Sequence, residues 1–238
     1  MGELIAPRPR SGALELLDQS NLSLRELSIN LRDVGRLNRW FGGTRTVVAE
    51  VGRICRERGL TGRVSVLDIG TGGADIPRAL VRWGERHGIR FEIVACDRHE
   101  QVVALAAAFS SGHESITVLR ADALALPFLP RSFDFVTCSL LIHHLADDEV
   151  TALLEKLHQL PRHALIACDL ERSERGRAGV WLATRLVGCG RLTRHDGPLS
   201  VLRSYTLEEL RARSRRAGCG AMRWFRRPFY RVVGVLEK

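Results

Sequence analysis

The strongest constraint on this chain is the stretch Val64-Ser-Val-Leu-Asp-Ile-Gly-Thr-Gly-Gly-Ala-Asp-Ile-Pro77, where an apolar run passes through a glycine cluster into a helical pattern. Val64, Val66, Leu67 and Ile69 make the nearly continuous apolar run of a strand buried on both faces, as in a parallel sheet. Gly70, Gly72 and Gly73 remove Cβ atoms where the chain turns sharply and a ligand approaches the backbone. After Asp75, the residues Ile76, Pro77, Ala79, Leu80 and Val81 predict a helix whose first turn accepts a proline. This order places a nucleotide-like ligand over a strand C-terminus and a helix N-terminus.

The charge of the turn narrows the ligand. A dinucleotide-binding loop needs a third small residue, whereas Gly70-Thr-Gly-Gly-Ala-Asp75 ends in aspartate. A carboxylate there repels a pyrophosphate on the helix N-terminus. Asp68, at the strand end, adds a second carboxylate, and the pair suits a cationic ligand better than an anionic one.

Three more strand-like segments follow. Phe91–Asp97 ends in an acid 25 residues beyond Gly72, the position of a ribose-binding carboxylate; the same acid also suits the cap of the next helix. Ser115–Arg120 leads into Ala121-Asp122-Ala123-Leu124, and Ser132–Leu145 reads as a fourth strand whose end carries His143 and His144. Asp68-x-Gly-x-Gly-Gly with these ordered segments, covering about half the chain, resembles the class I S-adenosylmethionine (SAM) dependent methyltransferases. That resemblance implies SAM as cofactor, S-adenosylhomocysteine (SAH) as its product, and contacts from Asp68, Gly70, Thr71, Gly72 and Gly73. Asp97 would lie at the ribose and Asp122 at the adenine, with Arg98, Ala123 and Ser139 also among the cofactor contacts. It also implies an α/β Rossmann-like doubly wound sheet of about seven strands. The sheet would be mostly parallel, with an antiparallel C-terminal strand, helices on both faces and an N-terminal helical lid.

Along the chain we expect a loose tail over residues 1–11, an N-terminal helical segment over 12–60 serving as lid or substrate region, and the methyltransferase domain over 61–238. Helical periodicity runs over Leu14–Leu17 and Leu24–Trp40, and Thr44–Arg58 follows the Gly42-Gly43 corner. Asn38, Arg39, Trp40 and that corner either line the site or belong to a packed, glycine-capped helix. Asp147-Asp148-Glu149 opens another helix, and His163–Leu170 reads as a fifth strand. Ala178–Val187, with Trp181, Leu182 and Leu186, reads as a helix forming a pocket wall or core. Arg191–Ser200 reads as a loop because of Gly197-Pro198. Thr206-Leu-Glu-Glu209 is a capping box, and a closing hairpin spans Met222–Phe225 and Phe229–Leu236.

For chemistry, His143 and His144 are candidate bases toward a phenolic or enolic proton, or rings packed beside the cofactor. His195 with Asp196 is a further candidate pair, Asp196 being equally a turn former. Arg194 and Arg203 either bind a carboxylate or are solvated. No Asn/Asp-Pro-Pro-aromatic motif follows the fourth strand, which disfavours amino-group methylation of adenine. Cys138 lacks an activating neighbour, and only Asp169 is placed for an oxygen-ligated metal, so no metal is expected.

The resemblance extends to ubiquinone/menaquinone-type and polyketide or phenolic-lipid methyltransferases. It implies O-methylation of a small aromatic or lipid-like acceptor, with C-methylation of a quinol-type ring as the alternative. A formal charge of +9 admits a reading of another class, a non-catalytic SAM- or RNA-binding module. The arginines are scattered along helices, however, so nucleic acid is not the expected partner. The six cysteines form no C-x-x-C pair, and no run approaches the ~18 apolar residues of a membrane span. A cytoplasmic monomer or homodimer is the expectation.

Overall fold

The computed structural model describes residues 9–18 and 22–238. Its helices are α1 (Leu24–Trp40), α2 (Gly43–Glu57), α3 (Asp75–Glu85), α4 (Glu100–Phe109), α5 (Asp147–Leu157), α6 (Glu174–Leu186), α7 (Arg191–Arg203) and α8 (Leu207–Arg216). Its strands are β1 (Gly62–Ile69), β2 (Ile89–Asp97), β3 (Ile116–Arg120), β4 (Phe133–Ser139), β5 (Pro161–Leu170), β6 (Arg223–Arg227) and β7 (Arg231–Glu237). They form one seven-stranded sheet in the order β3-β2-β1-β4-β5-β7-β6. β1 to β5 pair in parallel, while β7 runs antiparallel to β5 and β6. This is the Rossmann-like architecture expected from the alternating pattern.

The chain winds outward from β1 to β3, then returns to lay β4 on the other side of β1. The connections therefore part above the C-terminal ends of β1 and β4, where a crevice opens in a doubly wound sheet. Alternate residues of β1 feed opposite faces. Val64 and Val66 pack with Val47, Val51, Ile54 and Leu80 from α2 and α3. Leu67 and Ile69 pack with Val150, Leu153, Leu154 and Leu210 from α5 and α8. A third cluster joins Leu27 and Leu31 of α1 to Val102 of α4, which lays α1 across the open end of the sheet.

Three local expectations need correction. Residues 191–200 are helical, with Pro198 inside α7. The buried side of α7 consists largely of Thr193, Asp196, Ser200 and Arg203, so its packing is polar and no apolar period announces it. Gly197 lets α7 sit close to α6, since a Cβ there would lie 3.0 Å from Val180. Near the N-terminus, residues 1–8 lie outside the described residues, but the rest of the supposed tail is tethered. Arg10 donates to the carbonyls of His143 (3.0 Å) and Leu145 (2.7 Å) and lies over the Tyr205 ring. Leu14–Leu17 forms no α-helix: only a short 3-10 turn, Leu16–Asp18, is present.

Candidate functional site

The strand ends and the turns after them line a single cavity of about 420 Å³. Its floor is the turn after β1. Gly70 and Gly72 have φ of 67° and 51°, in the left-handed region open to glycine, and a Cβ on Gly70 would stand 3.1 Å from Leu141. Asp68 is buried beneath the turn, and the Thr137 hydroxyl donates to it at 2.6 Å. Burial pushes its carboxyl up to about 7, against the hydrogen bond from Thr137. Asp97, ending β2, accepts the Gly72 and His99 amides at 3.1 and 3.2 Å and so ties the turn to the next strand. Asp122 accepts the Leu124 amide at 2.9 Å. Thr71, Gly73, Arg98, Ala123 and Ser139 also line the cavity, so all ten nominated cofactor residues surround one space.

Asp75, read from the sequence as a charge filter, also has a structural task. Its carboxylate accepts from Asn38 and the Thr44 hydroxyl, both at 2.8 Å, locking α1 and α2 onto the start of α3. Leu31, Val34, Leu37, Asn38 and Phe41 line the cavity from α1 and its end. Arg39 and Trp40 are exposed. The amide oxygens of Asn30 and Asn38 are buried without a hydrogen-bond partner and border the same space.

His143 and His144 sit on a 3-10 turn just past β4. Asp169, at the end of β5, meets His143 Nδ1 at 2.7 Å and also accepts its backbone amide at 3.2 Å. Burial works against this carboxylate's charge, but the His143 ring and the surrounding hydrogen bonds hold it below the usual carboxylate range. An ionised carboxylate only accepts, so the Nδ1 of His143 carries the proton and Nε2 is free to act as a base or ligand. His144 Nδ1 lies 3.6 Å from Asp18.

His195 is the nominated residue that the fold does not bring in. Its side chain is 51% exposed and lies outside the cavity wall. Its neighbour Asp196 is buried and accepts the amides of Leu16 and Leu17 at 2.8 and 3.0 Å, pinning the N-terminal segment across the cavity. Arg203 is consumed the same way, donating to Ala13, Asp18 and the His144 carbonyl. Arg194 is exposed. Trp181, Leu182 and Leu186 also point outward; Gly176, Gly179, Val180, Ala183 and Thr184 form the wall from the opposite face of α6.

Sequence reasoning missed Glu15 and Asp18, which reach the histidines from about 130 residues upstream. No local signal marks them, since Leu-Glu-Leu-Leu-Asp reads as an ordinary amphipathic turn. All six cysteines are buried and free, and burial pushes the Cys138 thiol well up, which removes it as a nucleophile.

Comparison with known proteins agrees with this fold. Residues 66–163 match the family model described as a methyltransferase domain. Among solved structures, a SAM-dependent methyltransferase of Aquifex aeolicus superposes with a TM-score of 0.61 at 20% identity, covering 91% of this chain and 99% of that one. The magnesium protoporphyrin IX methyltransferase of Synechocystis, with SAH bound, superposes with a TM-score of 0.58 at 16% identity, covering 92% and 90%. A family 2 O-methyltransferase of Planctomyces limnophilus in complex with apigenin gives 0.53 at 17%, covering 74% and 50%. A search of curated proteins returned no match. The fold is that of class I SAM-dependent methyltransferases. Within it, residues 66–163 match a methyltransferase domain. Among the described residues no helix is long and apolar enough to cross a membrane.

Proposed function

We propose that this enzyme methylates an oxygen of a small phenolic or enolic acceptor held in the cavity beneath α1 and α6. The observation that carries the reading is the single cavity shared by the acids Asp68, Asp97 and Asp122 and by a histidine oriented by a buried aspartate. SAM, when bound, supplies an electrophilic methyl group on a sulfonium. The site fits such a cofactor in three respects: a glycine turn that a Cβ would crowd, unpartnered buried amide oxygens, and carboxylates suited to cationic and hydroxyl groups. We assign Asp97 to the ribose hydroxyls, Asp122 to the adenine edge, and Asp68, Thr71 and the glycine turn to the amino acid portion, with Arg98, Ala123 and Ser139 completing the wall.

The acceptor's place is the apolar half of the cavity, between Leu17, Leu37, Phe41, Val180, Phe229 and Tyr230. That lining favours an aromatic or lipid-like molecule over a charged one. His143 Nε2 takes the hydroxyl proton, and Asp169 stabilises the imidazolium that forms. Orientation in a closed site supplies several kcal/mol of the barrier. α1 and the segment around Asp18 keep water out, and Asp196 and Arg203 hold that segment down.

Methyl-labelled SAM offered with a panel of phenols, alkylpyrones and quinols tests the reading through product mass and methyl position. Methyl on oxygen is expected. Methyl on a ring carbon selects the C-methylation alternative, and no transfer to any member refutes the proposed acceptor class.

A further inference from the structure

We propose that Glu15, His143 and His144 form a binding site for one divalent transition-metal ion of the zinc or ferrous kind, set in the cavity wall. The argument starts from the orientation of the two rings. Asp169 engages His143 Nδ1 at 2.7 Å, and Asp18 faces His144 Nδ1 at 3.6 Å. Each ring is thus approached by a carboxylate on its Nδ1 side and directs Nε2 toward Glu15. The two Nε2 atoms lie 3.8 and 3.9 Å from the Glu15 carboxylate oxygens, beyond hydrogen-bond reach. With Nδ1 protonated, a neutral imidazole presents a lone pair from Nε2. A lone pair facing a carboxylate oxygen across that gap is repulsive until a proton or a metal cation lies between them, and the donor set and spacing favour the metal.

The spacing fits an ion. Bonds of about 2.0–2.2 Å to nitrogen and oxygen put neighbouring donors roughly 3.4 Å apart at a tetrahedral angle and about 4.2 Å apart when opposed. The two nitrogen-to-oxygen separations of 3.8 and 3.9 Å fall between those limits, and the three donor atoms all lie within 4.8 Å of one another. Two imidazoles and one carboxylate with positions left open is the donor set of catalytic zinc and non-haem iron sites, and it does not suit magnesium or calcium. The carboxylate hydrogen-bonded behind His143 is the usual outer support of such a centre, whereas Asp18 stands beside His144 Nδ1 beyond hydrogen-bond reach. Glu15 is otherwise met by the Ser200 hydroxyl at 2.8 Å and, at 4.0 Å, by Arg203. The buried cysteines, with thiols pushed up to about 11 for Cys55 and about 12 for Cys96, do not compete for the ion.

The inference rests on the proposed function for the ion's use. The open positions face the cavity, so an acceptor hydroxyl placed there is acidified by the cation and gives up its proton to the solvent it displaces on binding. With the ion bound, the two Nε2 atoms act as ligands; without it, His143 serves as base.

The test uses the full chain freed of metal by chelation, titrated with Co²⁺ by visible absorption and with Zn²⁺ by calorimetry. One equivalent is expected to bind. Glu15→Gln and His144→Gln should each weaken binding at least 100-fold, and Asp169→Asn about 10- to 100-fold. His195→Gln, on the exposed ring, should leave it unchanged. Circular dichroism and SAH binding on each variant separate misfolding from ligand loss; should Glu15→Gln not fold, His144→Gln at its partly exposed position carries the test. Absence of stoichiometric binding, or an affinity indifferent to both substitutions, overturns the metal site. SAH binding and methyl transfer retained alongside that result leave the proposed function standing, whereas metal binding without SAH binding overturns the proposed function alone.

Discussion

Replacing Asp68 by asparagine should make the cofactor-free protein more stable at pH 8 while weakening its hold on SAM. Burial raises this carboxyl from an ordinary 3.8 to about 7. Between those values the folded protein holds a proton that the unfolded chain has released, so its contribution to stability is complete below pH 4 and lost as pH rises to 7. A displacement of that size corresponds to about 4 kcal/mol. Asparagine keeps an oxygen for the Thr137 hydroxyl, which donates at 2.6 Å, and removes the charge that burial opposes. Urea unfolding of wild type and Asp68→Asn across pH 4 to 8 should show similar stabilities at the acid end and an advantage for the variant of up to about 4 kcal/mol at the alkaline end. Calorimetry at pH 8 should show SAM binding weakened about 10- to 100-fold, the loss of one charge-assisted contact. A stability difference that stays flat with pH, or an unchanged SAM affinity, would refute the claim that this carboxylate is kept at a cost to stability in order to meet a cationic ligand.

Three other perturbations report on separate parts of the site. Asp97→Ala should weaken SAM binding by about 10- to 100-fold in calorimetry, because a charged acceptor for hydroxyls is lost; an unchanged affinity would remove it from the ribose. His143→Gln should lower kcat by about 10²- to 10⁴-fold for acceptors bearing an acidic hydroxyl, with SAH affinity retained; wild-type turnover would end its assignment. Asp196→Ala frees the Leu16 and Leu17 amides. It should destabilise the protein by about 2–4 kcal/mol, speed hydrogen exchange at those two amides and raise the acceptor KM, whereas protection equal to wild type would show that Asp196 does not hold the segment.

How much could be read from the chain depended on what kind of packing each element uses. β1, the glycine turn and α3 were plain, because their apolar run, positive-φ glycines and first-turn proline are local properties of adjacent residues. The capping box at Thr206 and Glu209 formed as expected for the same reason. α7 was hidden: its inward face holds Asp196, Ser200 and Arg203 in hydrogen bonds, so hydrophobic periodicity is absent and Gly197-Pro198 reads as a break. α6 was recognised but turned the wrong way. Trp181 and Leu186 face solvent, while small residues face the cavity and leave it room. Within the site, the residues nominated for the cofactor stand at successive strand ends and line one cavity, an order already visible in the chain. Glu15, Asp18 and Arg10 come from the N-terminal segment and meet His143 and His144 only through tertiary contacts that no spacing encodes.

A crystal structure of the protein with SAH tests the account most directly. It should place the ribose on Asp97, the adenine beside Asp122, and the sulfur facing His143 across the apolar half of the cavity. A ligand bound away from the strand ends of β1 and β2, or one whose sulfur points away from His143, would contradict the assignment of this cavity to methyl transfer.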